Sequence, residues 1–209
     1  MLYRVPVLLL SFMTHELAHA FAALRCGDDT AKRMGRISFN PLRHIDPIGA
    51  VLLIAAGFGW AKPVPINPDN FKNKKSGIII TSLAGPLSNV LLAIIFSLVY
   101  VGFNSYAQPA PFIPVSRSSG IILGILAQFY SVNIMLAAFN LIPIPPLDGS
   151  KVLLAALPER IYFNYVLRYE RFGMLILLAL SFSGYIKVIL SPIYNFLFSV
   201  IKTIADFIF

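Results

Sequence analysis

Cysteine and charged residues are both scarce in this 209-residue chain. A single cysteine, Cys26, excludes an internal disulfide and a structural zinc site built from several cysteines. Only 12% of the residues are charged, against about 25% in an ordinary soluble domain. Hydrophobic residues make up 57%, and the mean hydropathy is +0.77. We therefore expect a membrane protein, a single compact bundle with no room for an additional folded soluble domain.

Long apolar stretches indicate where the chain crosses the bilayer. A crossing needs about 20 apolar residues, and five stretches qualify: residues 3–24, 77–103, 120–142, 172–190 and 192–209. The last, with Lys202 and Asp206, either spans the bilayer or lies at its interface. Residues 48–60 are too few to cross and predict a re-entrant segment or a pair of strands. We predict an all-α polytopic membrane protein, a bundle of five to six transmembrane helices with a small membrane-associated strand or re-entrant region after the first helix.

Basic residues are concentrated in alternate loops. Thirteen basic residues lie in three loops: one after the first helix, one after residues 48–60 and one after the 120–142 helix. The opposite side keeps Arg4, Arg117 and Lys187. The positive-inside rule places the basic side in the cytoplasm and the amino terminus outside. This topology explains the net charge of +8 without any nucleic-acid partner. It predicts a multi-pass protein of the inner (cytoplasmic) membrane.

Ionisable residues interrupt the first apolar stretch. Thr14-His15-Glu16-Leu17-Ala18-His19 contains the spacing H-E-x-x-H, which places both imidazoles on one helix face, one turn apart. Glu16, at the adjacent position, can act as a base on water at a metal ion. Burying such groups in hydrocarbon without a partner costs on the order of several kcal/mol, so the cluster indicates function. The motif predicts a zinc hydrolase whose active site lies within the bilayer.

A catalytic zinc site normally has three protein ligands, so one more is expected. Asp148 is the leading candidate because it lies in an apolar run that contains three prolines and is followed by Gly149. Its alternative role is an N-cap for residues 151–157.

The other polar residues have different expected roles. We expect Asp28 and Asp29 to be solvated turn residues. His44 and Asp46 form either a supporting pair, an alternative ligand set or a solvated interfacial cluster. Asn133 and Asn140 are expected on one polar seam of their helix, and Asn89 either contacts the site or lies where close helix packing dominates.

Two motifs together resemble one protein family. His15-Glu16-x-x-His19 and Asn140-x-x-Pro143-x-x-x-x-Asp148-Gly149, each on a hydrophobic segment, resemble the site-2 protease family of intramembrane zinc metalloproteases. Residues 35–49 and the segment Ala84-Gly85-Pro86-Leu87-Ser88-Asn89 are similar to its short prokaryotic branch, without PDZ or CBS domain. The resemblance covers roughly residues 10–155.

The resemblance implies a metalloendopeptidase that cleaves membrane-spanning protein substrates. His15, His19 and Asp148 would ligate one zinc ion per chain, and Glu16 would be the general base. Asn140 would contact the oxyanion or the substrate backbone, or would instead cap the end of its helix. The substrate would add as a strand beside a membrane-embedded sheet edge, for which residues 35–39 and 51–58 are candidates.

The chain is predicted to form one domain, with a catalytic core over residues 1–158 and transmembrane helices over residues 159–209. Two other functions remain open, a membrane metal transporter and a catalytically silent scaffold. The sequence does not indicate the oligomeric state.

Overall fold

Helices dominate the computed structural model, which describes residues 4–56, 61–107, 116–155, 157–158 and 172–208. Within these ranges no strand occurs, and one isolated antiparallel bridge joins Ile45 to Ala61. The helices are α1 (Arg4–Cys26), α2 (Thr30–Arg33), α3 (Pro47–Ala56), α4 (Lys74–Ala107), α5 (Arg117–Asn140), α6 (Asp148–Ala155), α7 (Phe172–Phe182) and α8 (Ile186–Ile208). Single 3₁₀ turns lie at Pro41–His44 and Pro68–Asn70. The prediction of an all-α membrane protein is confirmed.

Four of these helices, α1, α4, α5 and α8, are long and apolar enough to cross a membrane. The predicted five to six crossings are therefore not found in the described part of the chain. The difference arises at residues 172–190, where one span was expected. Helix α7 ends at Phe182, and Gly184 has a φ of +78°, a left-handed conformation that breaks the helix before α8 begins.

The position of α8 also reverses its expected direction. Leu190, near its start, packs with Ile142 and Leu147 just beyond the C-terminal end of α5, and Ile201 packs with residues in the middle of α4 and α5. Helix α8 therefore starts at the basic end of the bundle, and Lys187 belongs to that end. With Lys187 on the basic side, the division of basic residues predicted from the sequence changes from thirteen-to-three to fourteen-to-two.

The predicted strand region after the first helix is also not found. Residues 51–56 belong to helix α3, and residues 35–39 have no regular structure. The remaining part of that prediction, residues 57–60, lies outside the described residues. The helical outcome is consistent with the composition of α3, since Leu and Ala are better helix formers than strand formers.

Helix α1 ends in a closed turn that fixes the chain leaving it. Gly27 has a φ of +114°, its N–H bonds the Leu24 carbonyl, and the Asp28 N–H bonds the Ala23 carbonyl at 2.9 Å. This is the Schellman arrangement, which needs glycine at the left-handed position. The turn directs the chain so that the Lys72 N–H reaches the Cys26 carbonyl at 3.0 Å. The C-terminal end of α1 is thus bonded to the segment that starts α4.

Asp28 is fully buried, so the expectation of a solvated turn residue is wrong. Its carboxylate accepts the N–H of Thr30 at 3.0 Å, the N–H of Asn67 at 2.8 Å and the Asn70 amide at 2.8 Å. Neighbouring Asp29 is the exposed member of the pair and forms an ion pair with Arg33.

Helix α6 packs alongside α4. Its C-terminal residues Leu154 and Ala155 pack with Ala23, Phe71 and Ile78 at the basic end. Its first residue, Asp148, lies deeper, against the middle of α1. The short helix therefore carries an acidic side chain from the membrane surface toward the bilayer interior.

Candidate metal centre

Three side chains from two distant parts of the chain converge inside the bundle. The distance from His15 Nε2 to His19 Nε2 is 3.0 Å, and Asp148 Oδ2 lies 3.3 Å from the first nitrogen and 3.1 Å from the second. All three residues are buried, with 5% to 6% of their surface exposed. Within the part of the chain that the structure describes, they form the group of His, Cys and acidic residues able to hold a metal ion.

The orientation of His15 is set by a chain of hydrogen bonds that starts at a backbone carbonyl. The Phe129 carbonyl can only accept, so the nitrogen of the Asn133 amide faces it, at 2.8 Å. The Asn133 oxygen therefore accepts from the Asn89 amide nitrogen at 2.7 Å. The Asn89 oxygen in turn accepts from His15 Nδ1 at 2.6 Å. His15 thus carries its proton on Nδ1, and its Nε2 has a free lone pair.

His19 reaches the same state through a single contact. Its Nδ1 lies 2.7 Å from the backbone carbonyl of Thr81, which can only accept a hydrogen bond. Nδ1 is therefore the protonated nitrogen, and Nε2 faces the site with its lone pair.

The two Nε2 atoms and the carboxylate face one another, which is unfavourable unless a metal ion or a proton lies between them. Ligands about 2.0–2.1 Å from a tetrahedral zinc ion lie roughly 3.3 Å apart. The observed separations of 3.0, 3.1 and 3.3 Å fit that geometry. Both histidines also donate the other ring N–H to an oxygen, the arrangement typical of metal-ligating imidazoles. The residues present therefore fit a zinc ion.

One face of α4 is shaped to receive the two imidazoles. Thr81, Gly85 and Asn89 are spaced four residues apart, and the first and last bond the histidines. A Cβ atom at Gly85 would overlap His19 Nε2 and His15 Cε1, so only glycine allows α4 to pass this close. Asn89 is fully buried and contacts the site directly. The sequence alone favoured close helix packing around Gly85. The structure shows both this close packing and the contact of Asn89 with His15.

Asp148 is the first residue of α6, where the positive end of the helix dipole favours a carboxylate. Lys151, one turn later, lies 3.3 Å from Oδ1, which leaves Oδ2 for the histidines. A Cβ atom at Gly149 would overlap the carbonyl group of Leu141, so glycine is required here by close packing of α6 against the end of α5.

Glu16 is held by the backbone of a loop from the other side of α1. Its Oε2 accepts the Val64 N–H at 2.8 Å, and the side chain is partly exposed. Val64 belongs to the segment that follows α3 and packs with Ala20 and Ala31. Glu16, which follows His15 directly in the chain, therefore has one carboxylate oxygen fixed by the loop backbone.

The remaining predicted residues have other partners. The Asn140 amide nitrogen donates to the Leu136 carbonyl at 2.9 Å within the last turn of α5. Buried His44 bonds the Ser38 carbonyl through Nε2, and Asp46 accepts the N–H groups of Ile48 and Gly49 at the start of α3. Neither His44 nor Asp46 belongs to the ligand group described above.

Comparisons with known proteins agree with this geometry. The model of peptidase family M50 matches residues 113–183, a region that contains Asp148. The Bacillus subtilis (strain 168) protein named "Putative zinc metalloprotease YwhC" is 38% identical over 197 residues, which are 92% of this chain and 86% of the relative. No solved structure matches the chain.

Two further relatives are more distant. The Mycolicibacterium smegmatis protein named "Putative zinc metalloprotease Rip2" is 32% identical over 68% of this chain and 52% of its own length. The Methanocaldococcus jannaschii protein named "Putative zinc metalloprotease MJ0611" is 33% identical over 68% of this chain and 64% of its own length. With the family match and the near full-length relative, the chain belongs to peptidase family M50 and is a zinc-dependent intramembrane protease.

Proposed function

We propose that His15, His19 and Asp148 hold one zinc ion per chain and that Glu16 is the general base of peptide hydrolysis. The observation that carries this proposal is the set of three ligand atoms within 3.3 Å of one another. The bonds that fix both imidazole tautomers support it, because they leave each Nε2 available to the ion.

A zinc ion held by His15, His19 and Asp148 would supply a Lewis acid for the scissile carbonyl and would lower the pKa of water. Glu16 accepts the proton of the attacking water and returns it to the nitrogen of the leaving amine. Since the Val64 N–H holds Oε2, Oε1 is the oxygen that takes the proton. Lys151 neutralises part of the charge of Asp148 and keeps its second oxygen away from the histidines.

The site lies within the bilayer near the cytoplasmic face. His19 precedes Cys26, the last residue of α1, by seven residues, which is about 10 Å along the helix axis. A hydrocarbon core of about 30 Å therefore contains the site. The fourteen-to-two division of basic residues supports a cytoplasmic position for this end of the bundle, in an inner (cytoplasmic) membrane.

The substrates are membrane-spanning proteins whose helix unwinds locally near the site. A helical substrate exposes no free carbonyl, because each is bonded within its own helix. We predict that Asn140, at the end of α5, contacts the unwound substrate backbone. It would use its side-chain amide, which donates to the Leu136 carbonyl in this structure. Its role in capping α5 is the alternative.

Glu16→Gln separates hydrolysis from metal binding. The change removes the base but keeps a side chain whose oxygen accepts the Val64 N–H, so zinc should remain and proteolysis should fall at least 100-fold. We would compare newly formed protein N-termini in membranes from cells that express wild type or the variant. The expected result is a set of N-termini within transmembrane segments that only wild type produces.

Identical sets of N-termini would contradict the proposal. Zinc uptake into proteoliposomes, equal in wild type and Glu16→Gln, would instead indicate a metal transporter, since transport does not need a base. Retained zinc with neither activity would indicate a silent scaffold.

A further inference from the structure

The loops between α1 and α4 enclose a cleft of about 400 Å³ that takes no part in the metal centre. Its lining includes three cationic and three apolar side chains, Arg36, Arg43, Lys62, Met34, Leu42 and Ile45. Both α1 and α4 have their basic ends here, so the cleft lies at the membrane surface.

Hydrogen bonds to backbone carbonyls hold the walls of the cleft together. Arg43 Nη1 donates to the Gly35 carbonyl at 2.8 Å, and the Lys62 N–H donates to the His44 carbonyl at 2.8 Å. Arg36 closes the third side, because its Nη2 donates to the Lys62 carbonyl at 2.7 Å. Three separate segments of the chain thus form one built site.

The three cations have no acidic partner within the described residues, whose ion pairs all lie elsewhere. Arg36 is only 8% exposed, and its Nε is buried without a hydrogen-bond partner. A buried guanidinium that lacks a counter-charge is costly. An anion in the cleft would supply that charge for all three side chains.

Apolar side chains at the rim indicate what kind of anion fits. Met34 and Leu42, which line the cleft, are 63% and 73% exposed, although each is large and apolar. We propose that the cleft binds the phosphate headgroup of an acidic phospholipid, whose acyl chains cover this rim. A soluble phosphate would satisfy the cations alone, and an acidic protein segment would not explain an apolar rim at the level of the headgroups.

The cleft is linked to the metal centre through a short segment. Lys62 lies two residues before Val64, whose N–H holds Glu16. A headgroup bound to Lys62 therefore restrains the segment that positions the acid. This link depends on the proposed function, whereas the binding site itself does not.

The test is equilibrium binding of dioctanoyl phosphatidylglycerol to the detergent-purified chain, measured by native mass spectrometry. Dioctanoyl phosphatidylcholine and inorganic phosphate are the comparison ligands. Lys62→Gln removes one exposed charge while the backbone bonds of Lys62 remain, and we expect about fivefold weaker binding of the acidic lipid. Lys32→Gln, an exposed cation outside the cleft, is the matched control and should bind as wild type does. Arg43→Gln tests the opposite wall.

Tighter binding of phosphatidylglycerol than of phosphatidylcholine, weakened by Lys62→Gln and Arg43→Gln but not by Lys32→Gln, supports the site. Equal weakening by all three variants would overturn it, because the effect would then be diffuse surface charge. Inorganic phosphate that binds as tightly as the lipid would also overturn it and would assign the cleft to a free anion. None of these readouts uses zinc or proteolysis, so failure here leaves the metal centre untouched.

Discussion

The imidazole of His15 takes its orientation from a backbone carbonyl that is three hydrogen bonds away. The intermediate side chains, Asn133 and Asn89, are both fully buried and come from different helices. Ser11 completes the network, since its Oγ accepts from Asn133 at 2.9 Å. The polar groups form a closed, satisfied network, which holds one ligand in place within an apolar bundle.

Asn89 is the member of this network whose removal should weaken the metal site most. Asn89→Ala deletes the acceptor for His15 Nδ1, so the ring is free to rotate or change tautomer. Loss of such a supporting contact typically lowers metal affinity about 10- to 100-fold. A zinc-competition titration against a fluorescent chelator, in detergent, measures the change.

Two neighbouring variants make the Asn89 result specific. Asn89→Asp keeps an oxygen acceptor for His15 but replaces the amide donor to Asn133 with a second oxygen, so it should recover only part of the affinity. Ser88→Ala removes only a bond within α4 and should leave affinity within about twofold. Unchanged zinc affinity in a folded Asn89→Ala protein would refute the positioning role.

The sequence predicted some of these side chains and missed others for a physical reason. The spacing of His15 and His19 follows from one helix, and the apolar surroundings of Asp148 pointed to a special role. The contact of Asn89 depends on how α4 packs on α1, which periodicity does not report. The available signal was an amide in an otherwise apolar helix, where an unpartnered polar group is costly.

Among the elements, the loop that joins the end of α1 to the start of α4 depends on one buried acid. Burial raises the pKa of Asp28, but the hydrogen bonds from Thr30, Asn70 and Asn67 outweigh it and hold that pKa below its usual value. Because the folded pKa is lowered, the resulting stability is present above the unfolded pKa of about 3.9 and is lost as the pH falls through the folded pKa.

Asp28→Ala should therefore destabilise the protein by about 1–3 kcal/mol, since it leaves buried N–H donors without an acceptor. Thermal unfolding of the detergent-purified chain at neutral pH measures this loss. The adjacent Asp29→Ala removes an exposed ion pair with Arg33 and should cost less than about 1 kcal/mol. Equal losses of stability in the two variants would show that the hydrogen bonds of Asp28 stabilise the fold no more than the exposed ion pair of Asp29 does.

Helix boundaries were predictable where the apolar stretch and the helix coincide, as in α1, α4 and α5. They were not predictable at residues 172–190, because the break at Gly184 lies inside a continuous apolar stretch. Hydropathy measures how well a segment dissolves in lipid and does not report the φ angle of one glycine. The strand alternative for residues 48–60 was wrong over residues 48–56 for a similar reason, since a short apolar segment does not distinguish helix from strand.

For the whole molecule, the arrangement of four long helices makes a prediction about sidedness. If α8 starts at the basic end, Lys187 faces the cytoplasm and Phe207, which is 91% exposed, faces the opposite side. With five crossings, Lys187 would lie outside and Phe207 in the cytoplasm.

Cysteine labelling distinguishes the two arrangements. In a Cys26→Ser background, Lys187→Cys and Phe207→Cys can each be tested with a membrane-impermeant maleimide on right-side-out and inside-out vesicles.

Labelling of the Phe207 variant only from outside, and of the Lys187 variant only from the cytoplasmic face, is the expected result. The opposite pattern would restore the five-span arrangement. Labelling after detergent solubilisation is the control that both cysteines are reactive.

We propose that three residues from two distant parts of the sequence form one zinc site inside a membrane bundle. Its most direct test is the metal content of the detergent-purified protein by plasma mass spectrometry, for wild type, Asp148→Ala and the control Asp69→Ala, which changes an exposed acid. We predict one zinc per chain in wild type and Asp69→Ala, and its loss in Asp148→Ala. Zinc unchanged in a folded Asp148→Ala protein would contradict the account.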